Sequence, residues 1–257
     1  MPRKIIFNAD DFGLDADTVA ATQSLLLANH IKSATILVGQ PATAAALDFA
    51  RKHQKDQSFG LHFNMAEWLP PSGQPRPSLT GKHGQFNSPI KQRLKALTGA
   101  FNPEDVAAEL EFQLACLRDC GLRISHVDSH GHLHKFPAVL KAMSPVLARF
   151  GITRLRIPQT HYDNPRLYNR ALDGYCRRAF RGRKGITDYF FNTRIHQPNW
   201  LGDFLEKLPP GTTEIGIHPG KIEPWRKIES EAVLQAGNQH LLQNMAVGNI
   251  SYLDIEG

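Results

Sequence analysis

The chain has 257 residues, 41% hydrophobic and 21% charged, an ordinary balance for a soluble globular protein of one α/β domain spanning 1–257. It contains no apolar run of about 18 residues, so no membrane span is expected. The opening MPRKIIFNADD reaches acidic residues before any secretory-type apolar stretch, which points to a cytoplasmic protein. The net charge of +6 is moderate and densest at Arg177, Arg178, Arg181, Arg183 and Lys184. No aromatic-interleaved or recognised nucleic-acid motif accompanies that run. It is therefore expected to be a solvated helix end rather than a nucleic-acid surface, with an anionic substrate or partner as the alternative. Cys116, Cys120 and Cys176 are too few and too odd in number for a disulfide framework and are expected to be reduced thiols.

Along the chain, short apolar runs alternate with helical patterns. A first strand at 5–8 runs into Asp10 and Asp11, followed by a helix at 18–29, a strand at 34–38 and an alanine-rich helix at 43–52. A third strand at 59–64 carries His62. Residues 69–89, rich in proline, glycine and serine, are too long for a simple connection and form a candidate lid. Asn102 as cap and Pro103 at the first helical position mark the best-defined helix, which stops at Gly121. Strands are then expected at 124–128, 154–157, 189–192, 215–218 and 250–253, with helices at 138–149, 165–180, 199–207 and 229–245. Such alternation is the pattern of a parallel sheet, open or closed into a barrel.

Three of these strands end in groups that can hold a cation: IIFNADDFG with Asp10 and Asp11, FGLHFN with His62, and ISHVDSHGHLH. The last places four histidines and an aspartate (His126, Asp128, His130, His132 and His134) within nine residues. In a parallel α/β fold the carboxyl ends of the strands share one face, so all three segments would meet at a single rim. Two imidazoles and a carboxylate are a common catalytic set for a divalent ion. His130, at the strand end, is the natural ligand, and Asp128 is suited to orienting a histidine. Asp10, beside Asp11, is placed to act as a general base, and adjacent residues of an extended segment point apart. EIGIHPG supplies His218 at the mouth of a late strand as a candidate acid. No GxSxG, P-loop or early dinucleotide fingerprint is present.

NADDFG after the first strand, GLH on the third, HVDSHGHLH on the fourth and IHPG near the end together resemble the YdjC-like carbohydrate deacetylases over essentially the whole chain. The resemblance implies a distorted (β/α) barrel with a mostly parallel sheet and an active site at the carboxyl ends of its strands. It also implies hydrolytic removal of the acetyl group from an acetylated amino sugar or oligosaccharide. It makes Asp11, His62 and His130 the ligands of one divalent metal ion, Asp10 the catalytic base and His218 the acid. Arg156, in LRIP, would steady a carboxylate beside the site, while His132 and His134 fall within the motif with less defined supporting or substrate-side roles. Gly131 stands where relatives often carry a larger residue. Zinc is the favoured ion for this donor set, with magnesium, manganese, cobalt and nickel as alternatives. The expected partner is a small acetylated amino sugar, and an exposed helix layer would allow a homodimer.

Two other readings use the same residues. Amidohydrolase-type barrels also employ histidines and aspartate but usually open with His-x-His, whereas here the first strand ends in Asp-Asp. A sugar-binding barrel without catalysis would not need Asp10 beside a complete ligand set.

Overall fold

The computed structural model describes residues 1–160, 167–193 and 200–256. Its sheet is built from β1 (Arg3–Phe12), β2 (Ser33–Ile36), β3 (Ser58–Phe63), β4 (Val127–Ser129), β5 (Tyr189–Asn192), β6 (Gly211–Ile217) and β7 (Val247–Asn249). All pairings between them are parallel, in the order β4-β3-β2-β1-β6-β5, with β7 beside the first residues of β1.

The alternation of side chains explains both faces of this sheet. Ile5, Phe7 and Ala9 of β1, Ala34 and Ile36 of β2, Phe59, Leu61 and Phe63 of β3, and Ile215 and Ile217 of β6 belong to the apolar core under the helices. Apart from Ile6 and two glycines, the residues between them are equally buried but polar: Asn8 and Asp10, Ser33 and Thr35, His62, and Glu214. The interior of the curled sheet is thus lined with hydrogen-bonding groups that converge toward its carboxyl end.

The sheet closes imperfectly between β4 and β5. The expected strand at 154–157 is reduced to one bridge, Val127 to Leu155. The Arg156 N–H donates to the Val127 carbonyl at 3.1 Å, and farther on the Thr160 N–H donates to Phe190 at 2.8 Å. Pro158, between them, has no N–H to give, so the segment crosses the gap without a continuous ladder. The result is the expected distorted barrel.

Around it lie α1 (Ala16–Leu27), α2 (Thr43–His53), α3 (Pro89–Thr98), α4 (Pro103–Asp119), α5 (Pro137–Arg149), α6 (Leu167–Arg177), α7 (Trp200–Glu206), α8 (Pro224–Asn238) and α9 (Leu241–Asn244). Asp15 caps α1 by accepting from the Thr18 N–H, and Asn102 caps α4 as its sequence predicts. α4 buries Val106, Leu110, Leu114 and Leu117 at helical spacing and packs on α5.

Three expectations are corrected. α3 was not anticipated. The helix expected at 229–245 begins five residues earlier, at Pro224, and breaks at Asn238. The last strand is Val247–Asn249 rather than 250–253, because Ser251 caps a short 3-10 turn, Tyr252–Asp254. That turn sends Tyr252 under the barrel, where it stacks on His126 at 3.8 Å and donates to Glu214 at 2.5 Å. The first residues of the helices expected at 165–180 and 199–207 lie outside the described residues. Among the described residues no helix is long and apolar enough to cross a membrane.

Candidate active site

β1 delivers two neighbouring carboxylates to different places through a backbone irregularity. Its pairing with β2 shifts register between Ala9 and Phe12, and Asp11 takes a left-handed conformation, φ 58°. Simple extended alternation would have sent Asp11 outward to the helices. The bulge re-aims it along the rim, as such irregularities beside active sites commonly do. Aspartate tolerates this conformation better than most residues.

Asp11 Oδ1 then lies 3.3 Å from His62 Nε2 and 3.2 Å from His130 Nδ1. The other nitrogen of His62 is 2.7 Å from Asp128, which orients the ring and leaves Nε2 facing Asp11. Burial opposes charging His62, but Asp128 and the hydrogen bonds to Asp11 and Asp128 overcome it and raise its pKa to about 10. The cluster thus attracts positive charge, and one atom from each of Asp11, His62 and His130 falls within 4.8 Å of the others, a donor set suited to a divalent ion. Asp10, His62 and Asp128 form a second such group. There, however, a cation is already in place: Arg156 Nη1 is 2.6 Å from Asp10 and 2.8 Å from Asp128.

Arg156 is fully buried and contacts three carboxylates, adding Glu214 at 2.8 Å to the other two. It grips Asp10 with both terminal nitrogens at 2.6 Å, and Asn8 Nδ2 donates to the same carboxylate at 2.9 Å. Burial pushes the Asp10 pKa upward, yet Arg156 dominates and holds the carboxyl well below the usual range. His218 Nε2 lies 3.9 Å from Asp10, and its Nδ1 is 3.2 Å from Glu229 on α8. Burial disfavours the imidazolium, but Glu229, Asp10 and Asp11 reverse that and leave the His218 pKa raised.

These groups line a pocket of about 280 Å3 at the carboxyl ends of the strands. Asp10, Asp11, His62, His130 and His218 all reach it, as expected of residues delivered by parallel strands. His132 reaches it too, at a turn where Gly131 and His132 both have positive φ, 65° and 56°; a glycine suits that position. His134 does not. It is buried, holds Ser129 Oγ at 2.6 Å and the Arg156 carbonyl at 3.0 Å, and burial together with Arg156 lowers its pKa to about 3. His126 likewise faces the barrel interior, where it contacts Asn8 at 3.0 Å. Of the candidate lid, Pro89 borders the pocket, while Ser72, Arg76 and Ser78 are tied to Glu109 and Asp105 of α4.

Several contributors were not singled out from sequence. Arg226 donates to Asp11 Oδ2 at 2.6 Å and stacks on Trp225, which also lines the pocket. Glu67 meets His130 Nε2 at 3.3 Å. Asn192 ends β5 at the pocket wall. Three pocket-lining residues carry buried polar atoms without partners: Asn192 Oδ1, His132 Nδ1 and Arg226 Nη1. The adjacency of PWR to IHPG was the available clue for Trp225 and Arg226.

A polar rim of this composition, with Asp11, His62 and His130 close enough to share a cation, lies at the carboxyl ends of the strands of a parallel α/β barrel. The chain matches the model of the YdjC-like protein family over residues 4–245 and belongs to that family. It is 29% identical over 224 residues to a carbohydrate deacetylase of Vibrio cholerae serotype O1, covering 86% of this chain and 80% of the relative. It is 32% identical to the carbohydrate deacetylase of Geobacillus stearothermophilus over 233 residues, 87% of this chain and 82% of that one. Among solved structures it shares its fold with a protein of Enterococcus faecalis V583 called a cellobiose-phosphate cleavage protein, with TM-score 0.77, 19% identity and 98% of both chains covered.

Proposed function

We propose that this protein is a carbohydrate N-deacetylase that hydrolyses the acetamide of an acetylated amino sugar, with one divalent metal ion held by Asp11, His62 and His130. The observation that carries this reading is the convergence of those three side chains with Asp10 and His218 on one pocket, in a chain whose relatives are named carbohydrate deacetylases.

A divalent ion at this donor set supplies Lewis acidity toward a carbonyl oxygen and lowers the pKa of water. Zinc suits two imidazoles and a carboxylate, and magnesium is the alternative the oxygen ligands of the rim would favour. The protein's own groups do the rest. Asp128 orients the His62 ring so that Nε2, beside Asp11, would be the atom available to the ion. Asp10, kept anionic by Arg156, accepts the proton of the attacking water. Glu229 favours the protonated form of His218, and His218 delivers that proton to the departing amine, so that acetate and a free amino sugar leave. The unpartnered atoms of Asn192, His132 and Arg226 offer hydrogen bonds to the acetamide and to sugar hydroxyls, and Trp225 offers an apolar face. The small volume suits one sugar residue inside, with any further residues outside.

The test is acetate release from acetylated amino sugars and oligosaccharides, before and after chelation and with single metals restored. Release that disappears on chelation and returns with one ion is the expected result. Full turnover after exhaustive chelation would remove the metal from the mechanism, and no acetate from any acetylated sugar would remove the activity.

A further inference from the structure

The arginines of the basic run line an open cleft at the other end of β5 from the catalytic pocket. Asn192, the last residue of β5, lines the catalytic pocket, whereas Thr187 and Asp188, just before its first, line a separate cleft of about 620 Å3. Four arginines share that lining: Arg177, Arg178, Arg181 and Arg183.

Local structure gathers them. Arg177 ends α6, and Arg178 begins a short 3-10 turn, Arg178–Phe180. Cys176 and Phe180 are buried and anchor this stretch to the core. Beyond it, Gly182 and Gly185 adopt φ 77° and 70°, folding the chain back so that Arg181 and Arg183 face the same space.

The charges here are not matched. Among the described residues, Arg177, Arg178 and Arg181 form no ion pair. Asp173, which feels the charge of Arg177, is itself 3.0 Å from Lys135. Arg183 is half-buried and donates to a neutral group, Ser144 Oγ, at 2.7 Å. Burial pushes its pKa down, and no carboxylate offsets that cost. Asp188 is the one acid on the lining, and its Oδ2 is engaged by the Thr212 N–H at 2.8 Å. Thr187, which also lines the cleft, is buried, and its hydroxyl has no partner. An unpaired buried hydroxyl and a partly desolvated guanidinium both cost stability that a bound anion would recover.

We propose that this cleft binds the phosphoryl group of a small molecule, with the guanidinium forks taking its oxygens and the Thr187 hydroxyl donating to one of them. Four forks against one carboxylate exceed what a single carboxylate ligand would use, whereas a phosphoryl dianion with three acceptor oxygens engages several forks at once. The cleft volume falls within the range of small-molecule sites. Its lining includes no exposed aromatic residue on which a nucleic-acid base would stack.

Titration calorimetry of the full chain with inorganic pyrophosphate, in chloride buffer, tests this. The expected result is saturable one-to-one binding that weakens at least tenfold in an Arg178→Ser/Arg181→Ser variant and severalfold in Thr187→Val. Arg178 and Arg181 are exposed, and Thr187→Val keeps the shape of a buried side chain whose hydroxyl has no partner, so both variants should fold, as circular dichroism would verify. Turnover at the distant pocket should stay unchanged, which keeps this proposal separable from the catalytic one. Binding no tighter than that of citrate, or unaffected by the arginine substitutions, overturns it. Stronger binding of a single-stranded oligonucleotide, lost in the same variant, overturns it in favour of a nucleic-acid surface.

Discussion

The two ends of β5 treat positive charge in opposite ways. At the carboxyl end, Arg156 is sealed from water but touches Asp10, Asp128 and Glu214, and Arg226 touches Asp11. At the amino end, four guanidiniums face a cleft with one carboxylate. A matched cation fixes the position and charge of the anions it grips, so it builds machinery. An unmatched cation keeps its donors free for something that arrives.

The comparison breaks first, and hardest, at Asp10. Asp10→Asn keeps the size of the group but removes its basicity and its charge match with Arg156. Turnover should fall by about two to four orders of magnitude. Metal content, measured by elemental analysis, should be retained, because Asp11, His62 and His130 remain. Near-normal turnover would show that Asp10 is not the base.

Next comes stability. Arg156→Met strands three buried carboxylates and should cost about 3–5 kcal/mol in urea unfolding, the usual penalty for removing one partner of a buried ion cluster. Arg178→Met, on the unmatched side, should stay within about 0.5 kcal/mol. The Arg156→Met deficit should shrink in acid as the orphaned carboxylates protonate. Equal losses at the two sites would erase the distinction.

The smallest effect is expected at Glu229, and it is a shift in pH dependence. His218 has a raised pKa, so its acid form is present at low pH and is lost as pH rises through that value. Glu229→Gln removes the main counter-charge and lowers the pKa. The alkaline limb of kcat/KM should therefore move to lower pH, with little change on the acid side of that limb. An unmoved limb would mean that Glu229 does not tune His218.

Much of the rim was legible because its residues sit at the ends of parallel strands, where chain order alone predicts convergence. Asp10, Asp11, His62, His130 and His218 were found that way, and the side-chain parity of the strands predicts the polar interior. What stayed hidden lacked a periodic signal. Arg226, Asn192 and Glu67 come from a helix start, a strand end and a loop, and nothing local marks them as pocket residues. α3 was hidden for a different reason. Its apolar Ile90, Leu94 and Leu97 are exposed, while Gln92 and Ala96 are the buried ones, so its hydrophobic pattern points away from the protein. The basic run was expected to be a solvated helix end. Its arginines are indeed largely exposed, but that they line one open cleft depends on two glycine turns, whose direction sequence does not give.

The bulge in β1 has a consequence for how the chain can fail. β1 is bonded to β2, β6 and β7, and from Phe7 to Asp10 its odd and even positions are assigned to opposite worlds, apolar outside and polar within. Deleting one residue between Arg3 and Asn8 would leave almost the same composition and the same strand tendency. It would also turn the strand inside out, offering Phe7 to the carboxylates and Asn8 to the helices. A hydrolase built this way has no partly correct register, so any molecule that turns over substrate certifies that its central strand has found its place.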